Sequence, residues 1–209
     1  MQKIQAFCSE DLGGFYLDIL KDRLYTSAKD SRARRSAQSA LYHITHSLLR
    51  LLAPVLSFTA DEAWPIFMRN EKDSVLLHTW HQFPHAGGDL CERWSEIRAA
   101  RSEVQREIET LRAAGKIGSS LQAEVEVHAA GDRLELLKSL ADDLRFVFIT
   151  SQAKVVHDAH SIIVRPSPHT KCERCWHYRA DVGADPAHAE ICGRCTENLY
   201  GAGEHRIHA

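Results

Sequence analysis

Four of the six cysteines in the sequence stand close together near its C-terminal end, as two Cys-x-x-Cys pairs. They are Cys172 with Cys175 and Cys192 with Cys195, and 16 residues separate the two pairs. Zinc in structural sites takes four ligands in a tetrahedron, with each sulfur at about 2.3 Å from the metal. A two-residue gap lets both sulfurs of one turn reach the same ion, and the long gap lets the second turn return from the opposite side. The spacing therefore predicts one structural Zn²⁺ ion on these four thiolates.

Disulfides, a redox Cys-x-x-Cys and an iron centre are the alternative interpretations of these cysteines. Redox motifs occur singly and close to a βαβ unit, which the sequence pattern does not indicate. Iron binds in the same tetrahedron of thiolates and is the minor alternative. Four thiolates leave no open coordination position, so hydrolytic catalysis by the metal is not expected. The charges of Lys171, Arg174 and Arg194 are expected to offset those of the thiolates, and Gly193 is expected to provide a tight turn.

Aromatic and basic side chains follow the second cysteine directly, in the order Trp176, His177, Tyr178 and Arg179. Aromatic rings beside arginine are typical of surfaces that stack on exposed bases and contact phosphates. The alternative is that Trp176 and Tyr178 only cover the metal site. We therefore take Trp176 and Arg179 as candidate RNA-binding residues, and the sequence leaves open whether this segment contacts RNA or supports the helices.

A second group of candidate RNA-binding residues is basic and stands at the start of a predicted helix, which Asp30 or Ser31 can cap. Its members are Lys29, Arg32, Arg34 and Arg35. Cations at this end oppose the helix dipole, at a typical cost of about 0.3–1 kcal/mol each. An unfavourable placement indicates another use, such as contact with phosphate. The alternative is an ordinary solvated face.

Helical periodicity dominates the first 80 residues. Apolar side chains recur at helical spacing around 15–20, and an apolar stripe in steps of three and four runs through 33–52. Thr59 is predicted to open a further helix, with Glu62 completing a capping box. This part of the chain is therefore predicted to form an antiparallel helical bundle.

A stretch with one proline and two glycines, 81–89, is predicted to be a linker. A long helix follows it and is stopped by Gly115. The period then changes to two over 123–129, which predicts a half-exposed strand, and 132–144 is predicted to be a short amphipathic helix. Short β-branched runs predict further strands at 145–150, 153–156 and 161–164.

The predicted fold class is therefore mainly α, with an antiparallel helical bundle followed by a small α+β unit and a zinc finger with four cysteine ligands. The expected segments are the bundle, the junction with the α+β unit, and the finger, at 1–80, 81–160 and 161–209. The two remaining cysteines, Cys8 and Cys91, stand alone in the sequence and are expected to be small buried hydrophobic residues.

The overall composition restricts the partners and the location of the chain. Its 209 residues are 44% hydrophobic and 26% charged, which is typical of a soluble globular protein. The net charge of −2 gives no chain-wide attraction for nucleic acid, so any RNA contact must be local. No apolar run approaches the roughly 20 residues of a membrane span, and the N-terminus lacks a secretory signal. The expected location is the cytoplasm, where reduced thiols favour metal over disulfides.

Several stretches of the sequence resemble the C-terminal part of the bacterial isoleucyl-tRNA synthetases. The segments "GFYLDILKDRLYT", "RRSAQSALYHI", "LLAPVLSFTADEAW" and "KIGSSLQAEV" are similar to that family's anticodon-binding helical domain, of the class I synthetase type, and to the junction after it. The segments "KCERCWHY" and "ICGRC" are similar to its terminal zinc finger. The resemblance runs in order over nearly the whole chain.

The resemblance implies a tRNA-binding fragment of isoleucine–tRNA ligase, an ATP-dependent enzyme that attaches isoleucine to its tRNA. The implied partners are the anticodon arm of tRNA(Ile) and the upstream catalytic and editing domains of the same polypeptide, in a monomer. The family's His-Ile-Gly-His and Lys-Met-Ser-Lys-Ser signatures are absent here. "HITHS" at His43 lies inside a helical stripe, and "KIGSS" at Lys116 lacks the second lysine. No catalytic residue is therefore expected in the fragment, which is predicted to be inactive alone.

The same finger type occurs in formamidopyrimidine-type DNA glycosylases, which are the alternative function. That family needs an N-terminal proline followed by glutamate, whereas Met1 is followed here by Gln2. A third hypothesis is a protein-interaction finger with no nucleic-acid role.

Overall fold

A computed structural model gives the structure of the chain and describes residues 1–83 and 87–208. The packing divides the chain into two units, of which the first combines Met1–Arg34 with Gly88–Ala209 and the second is Arg35–Gly87. The linker predicted at 81–89 overlaps residues 84–86, which lie outside the described residues.

The predicted fold class is confirmed, because helices dominate the structure, the sheets are small, and the four cysteines form one cluster. The division of the chain into three segments, a bundle at 1–80, a junction at 81–160 and a finger at 161–209, stays a prediction. Among the described residues, no helix combines the length and the apolar character that crossing a membrane requires.

The first unit opens with a helical path that changes its winding twice. Helix α1 (Gln2–Ala6) continues as a π-helical segment (Phe7–Leu17) and then as helix α2 (Asp18–Thr26). Gly13 suits the wider winding, since a Cβ there would lie only 3.0 Å from the carbonyl oxygen of Cys8.

Helix α5 (Leu90–Ala113) and a three-stranded sheet form the core of this unit. The helix ends just before Gly115, which has a φ of +67°, as the sequence predicts. Strand β1 (Ala123–Ala129) alternates between buried and half-exposed residues, also as predicted. It is the central strand, parallel to β2 (Gln152–His157) and antiparallel to β3 (Ser161–Pro166).

The stretch 145–150 was predicted to be a strand, and this prediction was wrong. It forms most of helix α7 (Leu144–Phe148). A parallel pair such as β1 and β2 needs a crossover connection, which α6 (Gly131–Lys138) and α7 supply. The apolar residues of α7 are buried, and a short run that is apolar on every side has no period that separates strand from helix.

Cys8 and Cys91 are both exposed, so the prediction that they are buried was also wrong. Cys8 lies in the π-helical segment, which contains no buried residue. Cys91 lies in the first turn of α5, where the neighbouring residues are exposed as well. The packed faces of both elements begin further along the chain.

The second unit contains most of helix α3 (Arg32–Leu52) and all of helix α4 (Ser57–Met68). Its small core is built around Trp64, which is fully buried and donates a hydrogen bond of 3.0 Å to Asp73. Helix α4 begins two residues before Thr59, and no side chain caps it. The predicted capping box was therefore wrong, because the chain is already helical at that position.

Candidate metal centre and nucleic-acid interface

The four clustered cysteines belong to the segment 170–200, here called the finger. Cys172 and Cys175 lie between the short strands β4 (Thr170–Lys171) and β5 (Tyr178–Arg179). Cys192 directly precedes helix α8 (Gly193–Tyr200), and Cys195 lies in its first turn. All four are buried, and their sulfur atoms lie within 4.8 Å of one another.

The spacing of the sulfur atoms fits a tetrahedral metal ion. The Sγ atoms of Cys172 and Cys195 are 3.8 Å apart, and those of Cys175 and Cys192 are also 3.8 Å apart. A tetrahedron with sulfurs at about 2.3 Å from its centre has edges of about 3.8 Å. The backbone amide of Cys192 also donates to Cys172 Sγ at 3.3 Å, a contact that favours a thiolate.

Four thiols packed this closely cannot all ionise by themselves. The contact with Cys172 raises the pKa of the Cys175 thiol to about 12. It also raises the pKa of Cys195 far above the ordinary range, while hydrogen bonds from Cys175 and Cys192 lower that of Cys172 far below it. The negative charge of one thiolate therefore disfavours ionisation of the neighbouring thiols. A divalent cation is needed to stabilise four thiolates together. The donor set fits one structural metal ion of the kind that thiolates bind.

The first turn of the finger depends on a left-handed residue. Trp176 follows Cys175 with a φ of +64°, and its amide donates to the carbonyl oxygen of Cys172 at 2.8 Å. Gly193 was expected to supply a tight turn, and the structure gives a different reason for glycine there. A Cβ on Gly193 would lie 3.0 Å from a carboxylate oxygen of Asp181, so glycine permits that close approach.

Asp22 on α2 receives two arginines from the C-terminal part of the chain. Arg194 donates to both of its carboxylate oxygens, at 2.7 and 2.9 Å, and Arg206 donates at 2.6 Å. Burial alone would raise the pKa of the Asp22 carboxyl. The hydrogen bonds and charge of Arg194, with the charge of Arg206, outweigh burial and hold that pKa well below its usual range. Asp22 is thus an ionised carboxylate that joins α2 to the finger.

Arg174, inside the first cysteine pair, bonds to the C-terminal end of α2. Its guanidinium donates to the carbonyl oxygen of Thr26 at 2.8 Å and to that of Tyr25 at 3.3 Å. The last carbonyls of a helix have no partner within the helix, so these bonds satisfy them. Arg174 and Arg194 were expected to balance the thiolates. That balance stays a prediction, and the hydrogen bonds of both guanidinium groups go to oxygens of α2.

Trp176 stands on the surface of the finger, with 59% of the residue exposed. Its Nε1 donates to the carbonyl oxygen of Glu173 at 3.1 Å, and Lys171 Nζ lies 5.1 Å from the ring centroid. The ring also lines a cleft of about 420 Å³ together with Tyr25 and Arg174. The backbone thus holds one edge of the ring, and more than half of the residue is accessible to a partner.

Arg179 is engaged within the finger. It lies in β5 beside Tyr178, and both residues are half-buried. Its guanidinium donates to the two carboxylate oxygens of Asp181 at 2.8 and 3.2 Å. Of the two finger residues predicted to bind RNA, the structure therefore leaves the ring of Trp176 open and pairs the charge of Arg179.

The basic group predicted at the start of a helix lies on the turn before α3 and in its first turn. Lys29, Arg32 and Arg35 are exposed, whereas Arg34 is half-buried. The hydroxyl of Ser31 accepts a hydrogen bond of 3.2 Å from the amide of Arg34, so Ser31 is the cap of α3.

Two members of this group share a cleft with the finger. Lys29 and Arg34 line a space of about 460 Å³ together with Arg174 and Asn198. Arg34 Nη1 donates to the carbonyl oxygen of Ser27 at 3.5 Å, a long contact that leaves most of its donors available. The other two arginines of the group do not line this cleft.

Asp22 and Arg206 belong to this site and were not identified from the sequence. Asp22 stands between Lys21 and Arg23 and is typical of the polar face of an amphipathic helix. Its partner Arg194 is 172 positions away, so no local spacing connects them. The only signal in the sequence was the excess of basic residues around the cysteines.

Comparison with known proteins gives two family matches along the chain. Residues 1–127 match the family described as "Anticodon-binding domain of tRNA ligase". Residues 171–198 match the family described as "Zinc finger found in FPG and IleRS". The two matched ranges contain the helical path with the basic turn, and the finger that is joined to it.

Three curated relatives are named isoleucine–tRNA ligase. The protein of Thiobacillus denitrificans is 63% identical over 212 residues, that of Cupriavidus necator 55% over 218, and that of an Azoarcus species 54% over 215. Each alignment covers 100% of this chain and 23% of the relative. The chain thus spans about a quarter of the length of these relatives.

Proposed function

We propose that this chain, which belongs to the family of anticodon-binding domains of tRNA ligases, is the tRNA-binding C-terminal part of an isoleucine–tRNA ligase. The observation that carries the proposal is that one chain holds this domain over residues 1–127 and a finger of the type found in FPG and IleRS over residues 171–198. In the whole protein, isoleucine is attached to its tRNA with ATP, and this part recognises or positions the anticodon arm. The chain alone is proposed to be inactive in aminoacylation.

The DNA glycosylase alternative is not favoured. It accounts for the finger at residues 171–198 but not for the anticodon-binding domain at residues 1–127. A finger with no nucleic-acid role also leaves that domain unexplained.

The proposed metal ligands are Cys172, Cys175, Cys192 and Cys195, holding one Zn²⁺. The 3.8 Å sulfur separations and the burial of all four thiols support this assignment. When bound, the ion would act as a structural cross-link. The protein's own part is to present four sulfurs in a closed cluster, to direct the amide of Cys192 at one of them, and to exclude water.

The proposed RNA-binding surface combines the exposed ring of Trp176 with the basic turn before α3. Lys29 and Arg34 have the strongest support, because they line the cleft they share with Arg174 of the finger. Arg32 and Arg35 are exposed and can contact phosphates further along the RNA backbone. Arg179 has the weakest support, because Asp181 already pairs with its guanidinium.

The further proposed partners are the upstream catalytic and editing domains of the same polypeptide, in a cytoplasmic monomer divided into the three predicted segments. Large apolar side chains stand exposed on the second unit, among them Phe58, Ile66, Leu77 and Trp80; Phe58 is 93% exposed. Exposed apolar residues in such number are typical of a surface that another segment covers. In the relatives, such a segment can come from the rest of the polypeptide, because this chain spans only 23% of their length.

A mobility-shift titration of the chain with tRNA(Ile) and with duplex DNA of equal length tests the proposed function. Binding to the tRNA at several-fold lower protein concentration is the expected result. Equal or tighter binding to the DNA would favour the glycosylase type, and binding to neither would contradict a nucleic-acid role.

A further inference from the structure

We propose that Asp22 is the positioning residue through which the finger orders helix α2, so that metal occupancy of the finger and order in the last turn of α2 are linked. The linkage rests on the proposed assignment of the metal to the four cysteines. It assigns a role to a carboxylate that neither the motif nor the family match identifies.

Asp22 forms a buried, closely spaced ion pair with two arginines. Arg194 approaches the carboxylate with both terminal nitrogens, at 2.7 and 2.9 Å, and Arg206 approaches one oxygen at 2.6 Å. The side chains of Asp22, Arg194 and Arg206 are only 15%, 6% and 1% exposed. A two-pronged arginine–carboxylate pair fixes orientation as well as distance. Solvent at this degree of burial does not screen the pair as it would at the surface.

Residues beside both cysteine pairs lie close to the Asp22 carboxylate. Arg194 lies between Cys192 and Cys195, so its backbone is fixed only when the start of α8 is held in place. His177 lies two residues after Cys175, and its Nδ1 is 4.0 Å from Asp22. The carboxylate therefore faces one group from each cysteine pair. Loss of the cluster would move both groups away from it.

The last turn of α2 depends on the same segment. Arg174 donates to the carbonyl oxygens of Tyr25 and Thr26, and Arg194 also donates to the Thr26 hydroxyl at 3.3 Å. Beyond the helix end, Asn198 Oδ1 accepts from the amide of Ala28 at 3.3 Å. The finger thus replaces the hydrogen-bond partners that a helix end lacks, and without it these groups return to water.

Among the described residues, Asp22 is the only carboxylate of α2 that Arg194 and Arg206 contact. Glu204 also faces Arg194 and Arg206, but at 3.5 and 3.9 Å, and it lies outside the helix. Removal of the Asp22 charge therefore leaves the arginines partly balanced by Glu204 while it removes their charged contact with α2, so that of these two arginines only Arg194 keeps a bond to the helix, at the Thr26 hydroxyl. The two effects of a substitution, on the finger and on the helix, can be separated for this reason.

Hydrogen exchange measured by mass spectrometry, with and without a zinc chelator, tests the linkage. In the unaltered chain, chelation is expected to raise exchange at the amides of residues 22–28 by about tenfold or more. In Asp22→Asn, these amides are expected to exchange faster already with metal present. Chelation should then raise their exchange by less than half as much as in the unaltered chain, since only the contacts of Arg174, Arg194 and Asn198 around the helix end remain. Asp18→Asn is the matched control, because Asp18 lies one turn earlier on α2 and pairs with Arg101 of α5 rather than with the finger. It should keep the full response to chelation.

Absorption of the Co²⁺-loaded protein separates the possible failures. Thiolate-to-cobalt bands should be the same in Asp22→Asn as in the unaltered chain, since the ligands are untouched. Absence of these bands in the unaltered chain would overturn the metal assignment and the linkage with it. Normal bands with an α2 that does not respond to chelation, or a full response in Asp22→Asn, would overturn the linkage alone. If Asp22→Asn does not fold, Arg194→Lys keeps the charge but loses the two-pronged contact. Less than half of the normal response would then support the linkage, and a full response would overturn it.

Discussion

Replacement of Trp176 by alanine is expected to weaken tRNA binding while the finger stays folded. Trp176 is 59% exposed, so about two-fifths of its surface is buried. A tryptophan side chain covers about 200 Å², so roughly 80 Å² returns to water, which costs at most about 2 kcal/mol at 25 cal/mol per Å². A structural zinc contributes about 10 kcal/mol or more, so the finger is expected to survive this loss. Stacking of one base on an aromatic ring is worth about 1–3 kcal/mol, which corresponds to a loss of affinity of about 5- to 150-fold.

The assay is a fluorescence-anisotropy titration of labelled tRNA(Ile) at several salt concentrations, together with zinc analysis of the same samples. The dependence of affinity on salt should be nearly unchanged, because stacking displaces no counterions. Tyr200→Ala is the matched control, since Tyr200 is 64% exposed on α8 of the same finger and stacks on His188. Unchanged affinity in Trp176→Ala, or a loss that is matched by Tyr200→Ala, would refute a base contact at Trp176.

Three further perturbations test other parts of the account. Cys192→Ser is expected to reduce bound zinc from about one equivalent to well below half, as measured by elemental analysis, because it removes one of four thiolates; full retention would contradict the assignment. Arg34→Gln is expected to lower both tRNA affinity and the salt slope, the slope by about 0.7–0.9, whereas Arg112→Gln, which removes only the surface pair with Glu109, should change neither. The pKa of Asp22 is held below its usual range, so the stability it contributes is present above about pH 4 and is lost as pH falls through the lower folded-state pKa. The free energy of unfolding in urea should therefore differ between the unaltered chain and Asp22→Asn by a constant amount from pH 7 to about 5, and the difference should shrink below about pH 4; a difference that grows on acidification would show that the sign is wrong.

The parts of the fold that the sequence predicts correctly carry a strong local pattern. The alternation over 123–129 predicts β1 with the bounds that the structure gives it. The spacing of the four clustered cysteines identifies a group that the structure brings within 4.8 Å. In both cases the residues that matter are close in sequence or repeat a short spacing, so one pattern contains the information.

The incorrect predictions concern residues whose secondary structure or burial is determined by tertiary packing. The run 145–150 has the composition of a strand, but it lies in the crossover connection that the parallel pairing of β1 and β2 needs, and there it forms helix α7. Cys8 and Cys91 have the character of buried residues, but they lie on faces that nothing covers among the described residues. The joint between α2 and the finger is invisible in the sequence, because Asp22 and Arg194 are 172 positions apart.

Competition between RNA hairpins tests whether this chain binds the anticodon arm of tRNA(Ile). Labelled tRNA(Ile) bound to the chain is titrated with an unlabelled anticodon stem-loop of the same tRNA, or with an unlabelled acceptor-stem hairpin of equal length. The anticodon stem-loop is expected to displace the tRNA at a concentration close to that of unlabelled tRNA(Ile), while the acceptor hairpin should require at least about tenfold more. Equal displacement by the two hairpins, or stronger displacement by the acceptor hairpin, would contradict it.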